Sequence, residues 1–315
     1  MKSKEKFLTA LALTATATTT IALINKYLFY SATKGSTSFD ECADSYQWRY
    51  GKIHYTKQGQ GNPILLIHNL NTISSDYEWH KIVKPLAKNH TVYTIDLLGC
   101  GKSEKPDFTY TNFVFVQLIN DFVKNVIGQR TDVMTLGASS SLALMACMYN
   151  SELFNKLIFL SPESIIESVQ VPTRFSKVRR TILDLPIIGT LVYNIAHSKK
   201  MIYDELLEKN ITIPSHISNN DIYYFHRNSH LGGANAKALY SSIKNNYTKI
   251  NITNALKEID NSIFIIGGEF DTTFHDTVKQ YKSYNSAIES ITLPKCKKLI
   301  PLESPNYILG ALKMI

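Results

Sequence analysis

The chain has 315 residues, 44% hydrophobic and 19% charged, which is enough to bury a large α/β core and shows no compositional sign of disorder. Its net charge of +8 does not mark a nucleic-acid binder: residues 1–34 hold half of it, five lysines against Glu5, and no basic stripe with aromatics follows. Cys42, Cys100, Cys147 and Cys296 lie far apart with no C-x-x-C pair, which argues against structural zinc and a disulfide-stapled small fold while leaving an extracellular pairing open.

Chain order begins with a membrane signal. Lys2, Lys4 and Lys6 precede a run from Phe7 to Asn25 that holds 19 residues without a charge, close to the ~20 that cross a bilayer as a helix. Six threonines weaken the span, although a threonine hydroxyl can return to the helix backbone. Two readings compete: an uncleaved anchor, or a cleaved signal peptide with a small-residue site such as Ala15-Thr16-Ala17. The apolar run outlasts a usual signal-peptide core, which favours an anchor over 7–25 within a segment of 1–34. The preceding lysines favour a cytoplasmic N-terminus, and either reading puts the globular part outside the cytoplasm.

From residue 45 the pattern alternates between strand and helix. Residues 47–50 and 52–56 read as an antiparallel edge pair, and ProIleLeuLeuIle at 63–67 as a buried central strand. Residues 77–88 suit a helix with Pro85 near its end, 91–95 a strand, and 112–127 a helix. Strands at 133–136 and 157–160 flank a helix at 140–149. From 163 to 258 the pattern is helical with Pro and Gly breakers; then come a strand at 262–266, a helix near 274–284, a strand near 287–293 and a last helix from 305. Such alternation implies a mostly parallel sheet covered on both faces, with core segments 45–162 and 259–315 and a helical insertion at 163–258.

Gly137-Ala138-Ser139-Ser140-Ser141 joins a strand to a helix. A nucleophile in such a turn needs small neighbours two residues either side, which Gly137 and Ser141 supply for Ser139. The bland alternative is a serine-rich N-cap. Residues 64–70 (ILLIHNL) resemble the strand-then-His-Gly segment of α/β-hydrolases, and 96–106 (DLLGCGKSEKP) resemble their D-x-x-G-x-G-x-S-x-x-P loop. On these residues the chain resembles a lidded, esterase- or haloperoxidase-like α/β-hydrolase over 46–315. The resemblance implies an eight-stranded, mostly parallel sheet with a helical lid at 163–258, and no metal or cofactor.

By the same resemblance Ser139 matches the nucleophile, the backbone N–H groups of Leu70 and Ser140 the oxyanion donors, and Asp271 the triad acid. Asn69 stands where a glycine usually follows the histidine, here His68. Glu163 matches an alternative acid, and otherwise simply begins the lid. Glu303 and Pro305 set the register of the last signature, and Lys298 then occupies the catalytic histidine's position. A lysine is protonated at pH 7, with a reference pKa of about 10.4, and a nearby Asp271 favours that ammonium. A substitute base would have to be a desolvated Lys298, His275, or a lid histidine among His197, His226 and His230. Two functions follow: a serine hydrolase on a small apolar ester or acyl substrate, or a non-catalytic relative binding a ligand or partner under the lid.

Overall fold

The computed structural model describes residues 2–34 and 43–315, so Cys42 lies outside the described residues. Eight strands form one sheet: β1 (Ala43–Trp48), β2 (Gly51–Gln58), β3 (Asn62–Ile67), β4 (His90–Ile95), β5 (Thr131–Leu136), β6 (Phe154–Leu160), β7 (Ser262–Gly268) and β8 (Glu289–Leu293). Their order is β1-β2-β4-β3-β5-β6-β7-β8. Only the β1–β2 and β2–β4 pairings are antiparallel, as the alternating residues around 47–56 predict. The sheet interior is parallel and apolar on both faces, which suits its Val, Ile and Leu runs. On β3 the period of two is explicit. Leu65 and Ile67 enter one core with Phe115 and Leu142, while Ile64 and Leu66 enter the other with Trp79 and Ile308.

An N-terminal helix, α1 (Lys2–Thr33), precedes the sheet. Helices α2 (His80–Leu86), α3 (Asn112–Phe122) and α4 (Ser139–Tyr149) connect its first strands. Between β6 and β7 comes an insert of α5 (Ile165–Ser168), α6 (Arg174–Asp184), α7 (Ile188–Ala196), α8 (Lys199–Glu205), α9 (Asn219–His230), α10 (Ala236–Lys244) and α11 (Thr253–Glu258). Helix α12 (Phe274–Tyr284) follows β7, and α13 (Ile300–Glu303) and α14 (Pro305–Ala311) end the chain.

Helix α1 differs from the expected span followed by a linker. It runs unbroken to Thr33, and its last turns dock on the insert. Asn25 Nδ2 donates to the Ile187 carbonyl at 3.0 Å, and Asn25 Oδ1 accepts from Asn194 at 2.9 Å. The Phe29 ring lies 5.4 Å from that of His230. Thr14, Thr16, Thr18 and Thr20 each return their hydroxyl to the carbonyl four residues back, which satisfies them without solvent.

Candidate active site

Two loops at the C-terminal edge of the parallel strands hold the residues singled out by sequence. The first is 96–103. Buried Asp96 accepts the Asp76 N–H on one carboxylate oxygen and the Lys102 N–H on the other, both at 2.7 Å. Ser103 Oγ donates to the Asp96 carbonyl at 2.6 Å and accepts the His54 N–H at 2.8 Å. Gly101 has φ +47, and a Cβ there would stand 2.2 Å from Asp96 Oδ2, so the loop demands glycine on both counts. His54, Asp76 and Asp96 bring potential ligand atoms within 4.8 Å of one another. With both Asp96 oxygens committed to backbone N–H groups, this cluster reads as a structural network rather than a free ligand set.

His68 is buried, and its Nε2 accepts the Leu97 N–H at 3.0 Å. The proton therefore sits on Nδ1, 2.6 Å from the Asn69 carbonyl, and burial pushes the pKa down to about 4. His68 is a neutral strut at pH 7. Next to it, Asn69 N–H donates to Glu78 Oε2 at 2.9 Å. Burial pushes the Glu78 carboxyl up to about 7.

The second loop is the turn from β5 to α4. Its left-handed residue is Gly137, at φ +58; Ala138 already has helical angles and α4 begins at Ser139, one residue before the expected start. A Cβ on Gly137 would meet Asn69 Oδ1 at 2.5 Å. That same Oδ1 accepts the Ala138 N–H at 3.0 Å. Ser139 is fully buried, with its Oγ donating to the His68 carbonyl at 2.6 Å. Ser140, expected to aim its N–H at an oxyanion, donates it to the Gly137 carbonyl at 3.1 Å, and its hydroxyl pairs with Thr135 at 2.9 Å. Leu70 is buried beside this loop.

Lys298 Nζ lies 3.7 Å from Asp271 Oδ1, an ion pair just beyond hydrogen-bond range. Asp271 Oδ1 also accepts the Thr273 N–H and hydroxyl at 3.0 and 2.7 Å, so this carboxylate both pairs with the lysine and caps the turn before α12. The Lys298 loop is pinned to the insert, because Lys298 and Leu299 donate their N–H groups to the Asn210 carbonyl. Fully buried Glu303 adds a second tie: Oε2 accepts the Lys297 N–H and Oε1 the Thr212 N–H, both at 2.7 Å.

The other candidates are engaged elsewhere. Glu163 pairs with Lys249 and accepts the Ser141 hydroxyl at 3.4 Å. His275 is exposed in the first turn of α12. His197 is buried, its Nε2 2.6 Å from Thr72 Oγ1 and its Nδ1 2.8 Å from the Tyr193 carbonyl; burial depresses its pKa to about 3. His226 and His230 face one another at 4.4 Å between ring centroids, and burial lowers both pKa values.

Lys298, Gly137, Asn69, Glu78 and Ser161 share a cavity of about 70 Å³, room for a few waters and well below the ~300 Å³ at which small-molecule sites begin. Ser139 does not line it. A larger cleft, about 370 Å³, opens between β2, β4 and the insert beside Tyr77, Tyr224, Lys84 and Arg227. Arg227 is 7% exposed, and its Nε has no partner among the described residues. Sequence reasoning did not single it out, since an arginine inside a polar helix gives no sign of burial.

The family model for the alpha/beta hydrolase fold matches residues 62–304. The 2-hydroxy-6-oxo-6-(2'-aminophenyl)hexa-2,4-dienoic acid hydrolase of Metapseudomonas resinovorans is 26% identical over 125 residues, 39% of this chain and 43% of that protein. Soluble epoxide hydrolase of Corynebacterium sp. is 28% identical over 109 residues, 35% of this chain and 37% of that protein. The chain thus spans about two fifths of the length of these relatives. Among solved structures, a serine hydrolase involved in carbazole degradation superposes with a TM-score of 0.70 at 15% identity, covering 86% of this chain and 97% of that one. A membrane phospholipase A superposes at 0.69 with 16% identity, covering 100% and 97%. Sheet order, the 96–103 loop and a family match over most of the chain agree: this protein belongs to the α/β-hydrolase family.

Proposed function

We propose that this chain is a membrane-tethered α/β-hydrolase-fold protein that binds rather than hydrolyses. The observation that carries the reading is the left-handed turn at Gly137. In this family a strained strand-to-helix turn presents the nucleophile. A turn at Gly137 overlays Thr135-Leu136-Gly137-Ala138-Ser139 on the G-x-S-x-G pattern, two residues from the register expected for Ser139. Ser139 then fills the small-residue position, and the nucleophile position has no side chain.

Three further features support it. The Ala138 N–H, which would follow a nucleophile and face an oxyanion, is already bonded to the Asn69 carboxamide. Lys298, at the position of the base, is paired with Asp271. The cavity beside Asn69 and Lys298 has room for a few waters, not for an acyl chain. An unaided serine hydroxyl is a poor nucleophile, and Ser139 is held by a carbonyl away from that cavity. The larger cleft is where this reading seats a ligand, an anion facing Arg227, a nearly buried residue whose Nε has no partner among the described residues.

Helix α1 supplies the tether. Ser3–Thr33 has a mean hydropathy of 1.8 in its most apolar window, and Lys2, Lys4 and Lys6 favour a cytoplasmic N-terminus with the globular part on the far side. The membrane phospholipase A structure matches this chain over its whole length, α1 included.

The test is labelling of the full chain in membranes by a fluorophosphonate probe, with p-nitrophenyl ester turnover alongside. No labelling and no turnover are expected from the wild type, and Ser139→Ala leaves both at background. Wild-type labelling that disappears in Ser139→Ala overturns the reading and restores Ser139 as a nucleophile.

A further inference from the structure

We propose that the α6–α7 face of the insert lies in the headgroup layer of an anionic bilayer, so that the protein meets the membrane through a surface as well as through α1. The inference rests on α1 being a membrane anchor. It adds a second contact that the anchor alone does not require.

The observations are exposure, charge and depth. Phe175, Val178 and Ile182 on α6 are 80, 60 and 48% exposed, and Ile188, Val192 and Ile195 on α7 are 54, 38 and 59% exposed. Their spacings, i, i+3, i+7 and i, i+4, i+7, put each trio on one helical face. Large apolar side chains arranged in stripes, not scattered, mark an interaction surface. The buried face of α7 is occupied by other residues: Gly189, Thr190, Tyr193 and Asn194.

The charge is one-sided. Residues 165–198 contain four Lys or Arg against Glu167 and Asp184. Arg174, Lys177 and Arg179 are exposed beside the apolar stripe and make no ion pair among the described residues. An amphipathic helix with cations along its apolar face is the pattern that lies in a headgroup layer, where each cation near an anionic surface adds to the binding.

Depth comes from α1. Its docked turns begin at Asn25, which bonds Asn194 and the Ile187 carbonyl at the start of α7. On the N-terminal side of that point Leu11, Leu13 and Leu23 are exposed, as lipid-facing residues would be. Just beyond it stand exposed Tyr27 and Tyr30 with Lys26, the residue types that gather at a membrane–water boundary. The start of α7 is therefore held level with that boundary. Helix α6 packs against α7 and continues the surface.

The experiment uses the full chain in nanodiscs, one chain per disc, in a Cys42→Ser background; Cys100, Cys147 and Cys296 are buried and protected from the dye. An NBD fluorophore is placed in turn through Phe175→Cys, Leu13→Cys and Tyr307→Cys, and bromine-labelled lipids serve as quencher. With phosphatidylglycerol present, Leu13→Cys and Phe175→Cys are quenched about twofold or more and Tyr307→Cys is not, as an interfacial helix requires. Adding Arg174→Gln, Lys177→Gln and Arg179→Gln reduces quenching at 175 but not at 13. Quenching at 13 without quenching at 175 overturns the inference and leaves the anchor standing. Absence of quenching at both positions overturns the anchor and the inference with it. Mutual quenching of two labelled chains at 175 in two-chain discs, with no lipid quenching, assigns the stripe to a second copy and also overturns it.

Discussion

The 96–103 loop and the β5–α4 turn stand at the same edge of the sheet, and their side chains serve the backbone to different degrees. In the first, the family's Asp, Gly and Ser are all present, and every polar atom named there is engaged by backbone. In the second, the left-handed residue is a glycine and a carboxamide covers the neighbouring N–H. Asp96 and Ser103 hold part-buried backbone that would otherwise lack these partners, so their loss would cost the fold itself. On the binding reading proposed above, a nucleophile and its base hold nothing in place, and the fold does not depend on them.

That contrast predicts a graded set of costs, readable by chemical denaturation of the full chain. Asp96→Ala leaves two part-buried N–H groups without their acceptor and should destabilise by about 2–4 kcal/mol. A cost under about 1 kcal/mol would break the comparison at its structural end.

Gly137→Ser should cost about 2–3 kcal/mol, since a non-glycine residue at that φ is strained and its Cβ overlaps Asn69 Oδ1. Combining it with Asn69→Gly should recover about 1 kcal/mol through relief of that overlap. Simple additivity in this cycle would show that Asn69 does not occupy the space above the turn.

Glu78 gives a pH signature. Its folded pKa of about 7 lies above the usual 4.5, so the folded chain holds that proton more tightly than the unfolded chain. The favourable contribution is present at pH 4 and lost as the pH rises through about 7. Glu78→Gln should flatten the stability profile across that window and gain about 1–2 kcal/mol at pH 8. An unchanged slope would mean that Glu78 is ionised throughout.

The smallest effect belongs to the Lys298–Asp271 pair. Lys298 is 37% exposed and 3.7 Å from Asp271, so Lys298→Met should change stability by less than about 0.5 kcal/mol. A loss of several kcal/mol would mean that the lysine has become structural and would blur the contrast between the two loops.

Much of the fold was legible because both faces of the sheet are apolar. The runs at 63–67, 91–95, 133–136 and 262–266 all fall within strands, and helix α12 has the predicted bounds. The 96–106 motif was legible because its residues serve the backbone locally. The turn was harder. Small neighbours recommended Ser139 as the nucleophile candidate; the left-handed residue of the same five is Gly137, the one type that enters that space without strain. Asn25 could not be read at all: its partners lie 162 and 169 residues away, and an asparagine at the end of an apolar run looks like a boundary. The burial of Arg227 was hidden because an arginine inside a polar helix gives no sign of it.

The docking of α1 has a mechanical consequence. The N-terminal helix and the insert share hydrogen bonds and an aromatic contact, and the insert in turn holds the Lys298 loop through Asn210 and Glu303. These joints form a linkage from the helix to the small cavity. On the anchored reading proposed above, a tilt of the helix would apply torque to α7 and load the loop that carries Lys298.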